Sequence, residues 1–210
     1  MKNILCFGDS NTWGYNPNTK ERFPSEIRWT GRLQEKLSAD NIHIIEQGVC
    51  GRTTVFEDRT RPNLKGVTTL KEIFSRQQDI DSVILMLGTN DCKTYFGNTE
   101  NEIVKGVEEC LDLVLKYIAP EKILLVSPIL LGEDVWKDEY DPEFDRNSVQ
   151  VSKNLKSVYE EAAKKRKVHF LAASEYANPS VADQEHLDEN GHSILADVIL
   201  KSVKSNWKCA

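Results

Sequence analysis

Ser10 follows an apolar run in ILCFGDSN, where a strand gives way to turn-forming Gly8, Asp9 and Asn11. A serine hydroxyl is a weak nucleophile at neutral pH and needs a base beside it. His186 suits that task, because imidazole titrates near neutrality and can take a proton and return it. Asp183 stands three residues earlier in DQEH, near enough along the chain to set the histidine's tautomer and stabilise its charged form. A tetrahedral oxyanion needs donors already in place. The backbone N–H groups of Ser10 and Gly48 and the side-chain amide of Asn90 are donors of the right kind. Glycine at position 48 also lets backbone come close to a substrate. Together these are the parts of acyl transfer through a serine. Each has a plainer reading: Asn90 caps a turn, Gly48 permits one, Asp183 caps a helix, and a histidine near a helix start is structural. Their joint placement favours chemistry.

That placement comes from the elements around them. Apolar runs at Lys2–Phe7, Ile42–Glu46, Ser82–Leu87, Lys122–Ser127 and Val168–Ala172 read as strands buried on both faces. Amphipathic stretches near Thr30–Ala39, Leu64–Ser75, Glu100–Ile118, Val149–Lys165 and Glu189–Trp207 read as helices. Asn98-Thr99-Glu100 supplies capping residues for the third, and Pro120 lies just past its end. The alternation predicts an α/β fold with a five-stranded parallel sheet in flavodoxin-like order, covered on both sides. Ligands bind such sheets beyond the carboxyl ends of the strands. Ser10, Gly48 and Asn90 follow the first three strands, and Asp183 and His186 follow the fifth. All five are expected on one edge. Two polar stretches, Asn11–Arg28 and Leu130–Ser148, lack periodicity, and the second is acidic with aromatic residues in it. Loops of that length often bind ligands or cover them.

The bulk properties exclude other classes. A chain of 210 residues suits one domain over residues 1–210 with a sizeable core. The formal net charge of −6 and the lack of a basic stripe argue against nucleic acid as a partner. The cluster Lys164-Lys165-Arg166-Lys167 ends a helix, where it complements the helix dipole. No segment reaches the roughly 18 apolar residues of a membrane helix, and no secretory h-region opens the chain. Five cysteines (Cys6, Cys50, Cys92, Cys110, Cys209) without a C-x-x-C pair suggest reduced thiols and a cytoplasmic location. Cys50 and Cys92 lie near the expected oxyanion donors but have no histidine of their own nearby in sequence. The nucleophile elbow G-x-S-x-G and the phosphate loops of nucleotide binders are absent, so no cofactor is expected.

FGDSNTWG, Gly48, LGTND and DQEH resemble, in order, the four signature blocks of the SGNH (GDSL) hydrolase superfamily, and the match spans nearly the whole chain. RWTGRLQEKL, EQGVCGRTTVFED, LMLGTNDCKTYF and VSP look like its bacterial arylesterase and acyltransferase branch. The resemblance implies a three-layer α/β/α sandwich and metal-independent hydrolysis of small, short-acyl esters. It implies Ser10 as nucleophile, His186 as base, Asp183 as its partner, and Ser10, Gly48 and Asn90 as the oxyanion hole. Some members of the branch pass the acyl group to other acceptors, and some are oligomeric, so a homo-oligomer is compatible with it. Asn11 stands where the family name carries leucine, which implies a more polar pocket floor; Gln47, ahead of Gly48, has no assigned role. Trp13, Tyr15, Trp136 and Tyr140 suit either an aryl-ester pocket or a sugar platform. Two rivals remain: a carbohydrate O-deacetylase of the same superfamily, and a non-catalytic flavodoxin-like binder that would need no His186.

Overall fold

The computed structural model describes residues 2–76 and 79–207. Five strands, β1 (Lys2–Gly8), β2 (Ile42–Gly48), β3 (Ser82–Met86), β4 (Ile123–Ser127) and β5 (His169–Ala172), form one parallel sheet in the order β2-β1-β3-β4-β5. Six α-helices accompany them: α1 (Ser10–Trp13), α2 (Trp29–Leu37), α3 (Gly66–Ser75), α4 (Glu100–Val114), α5 (Arg146–Arg166) and α6 (Glu189–Asn206). This is the three-layer α/β/α arrangement expected of the SGNH fold.

The strands read as unbroken apolar runs because each face of the sheet carries its own core. Leu5, Phe7, Val83, Leu85 and Leu125 point to one side and pack against α3, α4 and α5, with Leu70, Val107, Leu111 and Tyr159 among their partners. Ile4, Cys6, Ile84, Met86, Leu124 and Val126 point to the other and meet Trp29 and Leu33 of α2 and Leu195 and Ile199 of α6. Alternate residues of one strand thus serve opposite layers, as a period of two requires.

The structure differs from the sequence expectation mainly at element ends. β1 and β2 run on to Gly8 and Gly48, paired with each other at the sheet edge that faces the site. α5 begins at Arg146, three residues early, because Asp145 caps it in a reciprocal box with Ser148. α4 stops at Val114 rather than Ile118. The short α1 has no apolar period to announce it. Among the described residues, no helix is long and apolar enough to cross a membrane. Cys6, Cys50, Cys92 and Cys110 are free thiols, and Cys209 lies outside the described residues.

Candidate active site

β1 stops at Gly8 and the chain turns at once into α1, with Ser10 as its first residue. Glycine is required at the bend. A Cβ on Gly8 would lie 2.0 Å from Thr12 Oγ1 and 2.6 Å from the Met86 carbonyl. The Asp9 carboxylate caps the helical turn by accepting the Asn11 N–H at 3.0 Å. Ser10 is thereby buried but aimed outward from the sheet edge.

The histidine arrives from the loop after β5. Gln184 adopts a left-handed conformation (φ 64°), which folds Asp183 back onto His186. Asp183 Oδ1 accepts the N–H groups of Glu185 at 3.0 Å and His186 at 2.9 Å. Its other oxygen, Oδ2, stands 2.7 Å from His186 Nδ1, and His186 Nε2 stands 2.8 Å from Ser10 Oγ. A continuous serine–histidine–aspartate relay results. The Asn11 side chain clamps this loop to the serine turn, accepting the Leu187 N–H at 2.9 Å and donating to the Glu185 carbonyl.

Asn90 lies just past β3. One proton of its amide goes to the Arg52 carbonyl at 3.2 Å, which orients the group and leaves the other proton free. The loop after β2 is held beside it by Asp91, which accepts from Thr54 N and Oγ1 at 2.9 and 2.6 Å. Arg52 is buried under the same loop, donating to the Gly8 carbonyl at 2.8 Å and lying 4.1 Å over the Phe7 ring.

Burial acts on every charge here. It pushes His186 down, but the Glu185 and Asp183 carboxylates outweigh it, and the imidazole is held above its ordinary value. Burial pushes Asp183 up, yet its hydrogen bonds and charge pairing with His186 hold it below the usual carboxylate range. Asp9 is raised to about 6 by burial, against the opposing pull of the Asn11 N–H and His186. Glu185 is raised to about 7, first by burial and then by Asp141 and Asp183.

A cleft of about 190 Å³ opens over these groups, lined by Ser10, Gly51, Asn90 and His186 with Tyr15, Cys50, Arg61, Lys93, Asp141 and Glu185. The structure brings Ser10, Asn90, Asp183 and His186 together as the sequence suggests. Gly48 belongs elsewhere. A Cβ there would lie 2.1 Å from the Trp13 nitrogen, so Gly48 is the point where β2 touches α1. Gly51, in a left-handed turn (φ 80°), is the glycine that reaches the cleft. Among the described residues, its N–H and that of Ser10 have no acceptor within the protein. The stretch GVCG holds two glycines, and nothing local chooses between them.

The expected pocket residues are also redistributed. Asn11 is the clamp just described, not a pocket floor. Trp13 lies under the Arg22 guanidinium, and Trp136 under that of Arg146 beside a separate groove with Glu133. Tyr140 sits in the 130–148 segment without lining the cleft; its neighbour Asp141 does so instead. Glu185 was in plain view inside DQEH, but its type alone gave no sign of the direction it faces. The exposed Cys50 thiol at the cleft is raised to about 11, first by desolvation and then by the Asp9 and Glu185 charges, which disfavours its thiolate at neutral pH.

The sheet order, with a serine, a histidine and an aspartate joined at its carboxyl edge, defines an SGNH-type α/β fold. Residues 6–194 match the model of the GDSL-like lipase/acylhydrolase family, and the chain belongs to that family. Among solved structures it is similar to an aryl esterase of M. smegmatis, at 34% identity and TM-score 0.88, over 98% of this chain and 100% of that one. A carbohydrate acetylesterase from Sinorhizobium meliloti is similar at 35% identity and TM-score 0.88, over 98% and 99% of the two chains. A lipase/acylhydrolase from Enterococcus faecalis, at 19% identity and TM-score 0.71 over 98% and 96%, shares the fold. No curated protein matches the chain.

Proposed function

We propose that the protein is a serine esterase that hydrolyses small carboxylic esters through an acyl-enzyme. The observation that carries this reading is the relay from Ser10 Oγ through His186 to Asp183, with both links at hydrogen-bond length. Ser10 Oγ attacks the ester carbonyl while Nε2 takes its proton. Asp183 holds the proton on Nδ1 and stabilises the imidazolium. The carbonyl oxygen, now negative, meets the Ser10 and Gly51 N–H groups and the free proton of the Asn90 amide. His186 then gives its proton to the departing alcohol or phenol. Water enters, the same imidazole takes its proton, and the acid leaves from Ser10. An alcohol that occupies the water's place accepts the acyl group instead, which is acyl transfer by the same groups.

The small cleft favours a short acyl chain. Membership of the GDSL-like family, and likeness to an aryl esterase and a carbohydrate acetylesterase, support ester hydrolysis. A non-catalytic binder has no use for the relay. The test is turnover of p-nitrophenyl esters from acetate to octanoate by wild type and Ser10→Ala, with EDTA present. Fastest turnover on acetate or butyrate is expected. The mutant should lose several orders of magnitude, on the scale of about 10⁶ for an acting triad member. A mutant that keeps a tenth of the rate removes Ser10 from the mechanism.

A further inference from the structure

Glu185 takes no proton and touches no reacting atom in the proposed mechanism, yet it stands in the middle of it. Its side chain is only 8% exposed and faces the cleft, and among the described residues no donor gives its carboxylate a hydrogen bond. The nearest positive group is His186 Nδ1, at 3.7 Å, and that nitrogen already serves Asp183. A carboxylate this far withdrawn from water, with its nearest opposite charge 3.7 Å away, gains from a cation brought into the cleft.

The two cations of the cleft are not available. Lys93, buried, is paired with Glu143; Arg61 is paired with Asp58 at 2.9 Å and with Glu143 as well. Asp141, the other carboxylate of the cleft, accepts the Glu143 N–H and, among the described residues, has no cation within ion-pair distance. Two carboxylates therefore line the cleft without a Lys or Arg partner among the described residues. Burial, and then the Asp141 charge, disfavour the charged form of Glu185. A hydroxyl group would satisfy one lone pair and leave the repulsion in place. A positive group relieves both. Tyr15, whose ring centroid is 4.3 Å from that of His186, adds an aromatic wall to the same cleft, a surface to which cations are drawn.

Resting on the esterase reading, we propose that the alcohol portion of the substrate carries a positive charge, received by Glu185 and Asp141. The alcohol side follows from the chemistry: His186 must reach the leaving oxygen, and Glu185 lines the same cleft beside that imidazole, its carboxylate 3.7 Å from Nδ1. The natural ester is then one of an amino alcohol.

The test compares kcat/KM for acetylcholine and for its neutral isostere 3,3-dimethylbutyl acetate, in wild type, Glu185→Gln and Asp141→Asn. The ratio of the two esters cancels any effect of the substitutions on His186 itself. Wild type should prefer the charged ester by about tenfold or more, as a cation–carboxylate contact at a partly buried site supplies. Glu185→Gln should remove most of that preference and Asp141→Asn part of it. Hydrolysis of p-nitrophenyl acetate with no preference for the ammonium ester overturns the inference and leaves the esterase reading intact. A preference unchanged in both variants overturns it too. Absence of turnover on all three esters sinks both.

Discussion

His186 is held between two carboxylates of different use. Asp183 binds its Nδ1 at 2.7 Å, and Glu185 lies within 3.7 Å of the same atom. A base acts only when neutral, so a raised imidazole moves the acid limb of the rate profile upward. We expect kcat/KM to rise with pH through a midpoint above 6.5, the ordinary histidine value. A pH profile with its limb at or below that value would mean that another group titrates there. Asp183→Asn should cost about 10⁴ in kcat, because the amide misorients the ring and offers no charge. Near-normal activity in that variant would hand the orienting role to Glu185. Asn90→Ala should lose about 10²–10³ in kcat, the loss usual for one oxyanion donor. An effect on KM alone would make Asn90 a substrate-positioning group.

At the scale of elements, Gly48, the last residue of β2, should carry stability through its contact with α1. In Gly48→Ala the new methyl would sit 2.1 Å from the Trp13 nitrogen and 2.5 Å from the Thr12 carbonyl carbon, both backbone atoms that cannot swing away. β2 must then move off α1, at a cost of about 1–3 kcal/mol or more in urea unfolding. A variant as stable as the parent would show that this contact is looser than it looks. The α4 cap is a control of another kind. Glu102 accepts the Thr99 N–H at 2.8 Å while Thr99 Oγ1 accepts the Glu102 N–H at 3.4 Å. Thr99→Ala should lose about 0.5–1 kcal/mol with unchanged kcat/KM. A comparable loss of activity would tie α4 to the cleft.

The whole molecule also carries buried titratable groups that set its response to pH. His192 is fully buried, accepts the Trp29 N–H at Nδ1, and among the described residues has no partner for Nε2. Burial, then the nearby charges of His186, Arg32 and Arg28, push it down from 6.5 to about 3. The unfolded chain therefore binds a proton there before the folded one does. Its contribution to stability is complete above 6.5 and is lost as pH falls toward 3. Asp9 and Asp91 behave oppositely. Each is raised from 3.8 to about 6, so the stability they contribute is present below 3.8 and is lost as pH rises toward 6. His192→Gln isolates the first effect: its thermal midpoint should fall less between pH 7 and pH 5 than that of the parent. Equal falls would place the acid sensitivity elsewhere.

Local chemistry in the sequence was enough for the layers and for most of the residues that the fold gathers at the candidate site. Runs such as ILCF and VILML read as strands buried on both faces, because they are short, unbroken by polar residues and followed by turn formers. Parallel strands then deliver whatever follows them to a single edge, and Ser10, Asn90, Asp183 and His186 follow them. The loops were a different matter. Trp13, Trp136, Tyr140 and Asp141 lie in segments without a period, so nothing local says which way they face. Contacts remote in sequence decide it, such as Gly132 N to the Gln184 carbonyl at 2.7 Å and Thr94 N to the Glu143 carbonyl at 2.8 Å. The same is true of Gly51, which reaches the cleft while Gly48 lies against α1, and of Glu185, which among the described residues has no Lys or Arg partner while Glu143 pairs with both Arg61 and Lys93. Element identity is written in local pattern; the direction of a loop side chain is set by partners far along the chain, and only the tertiary fold brings those partners near.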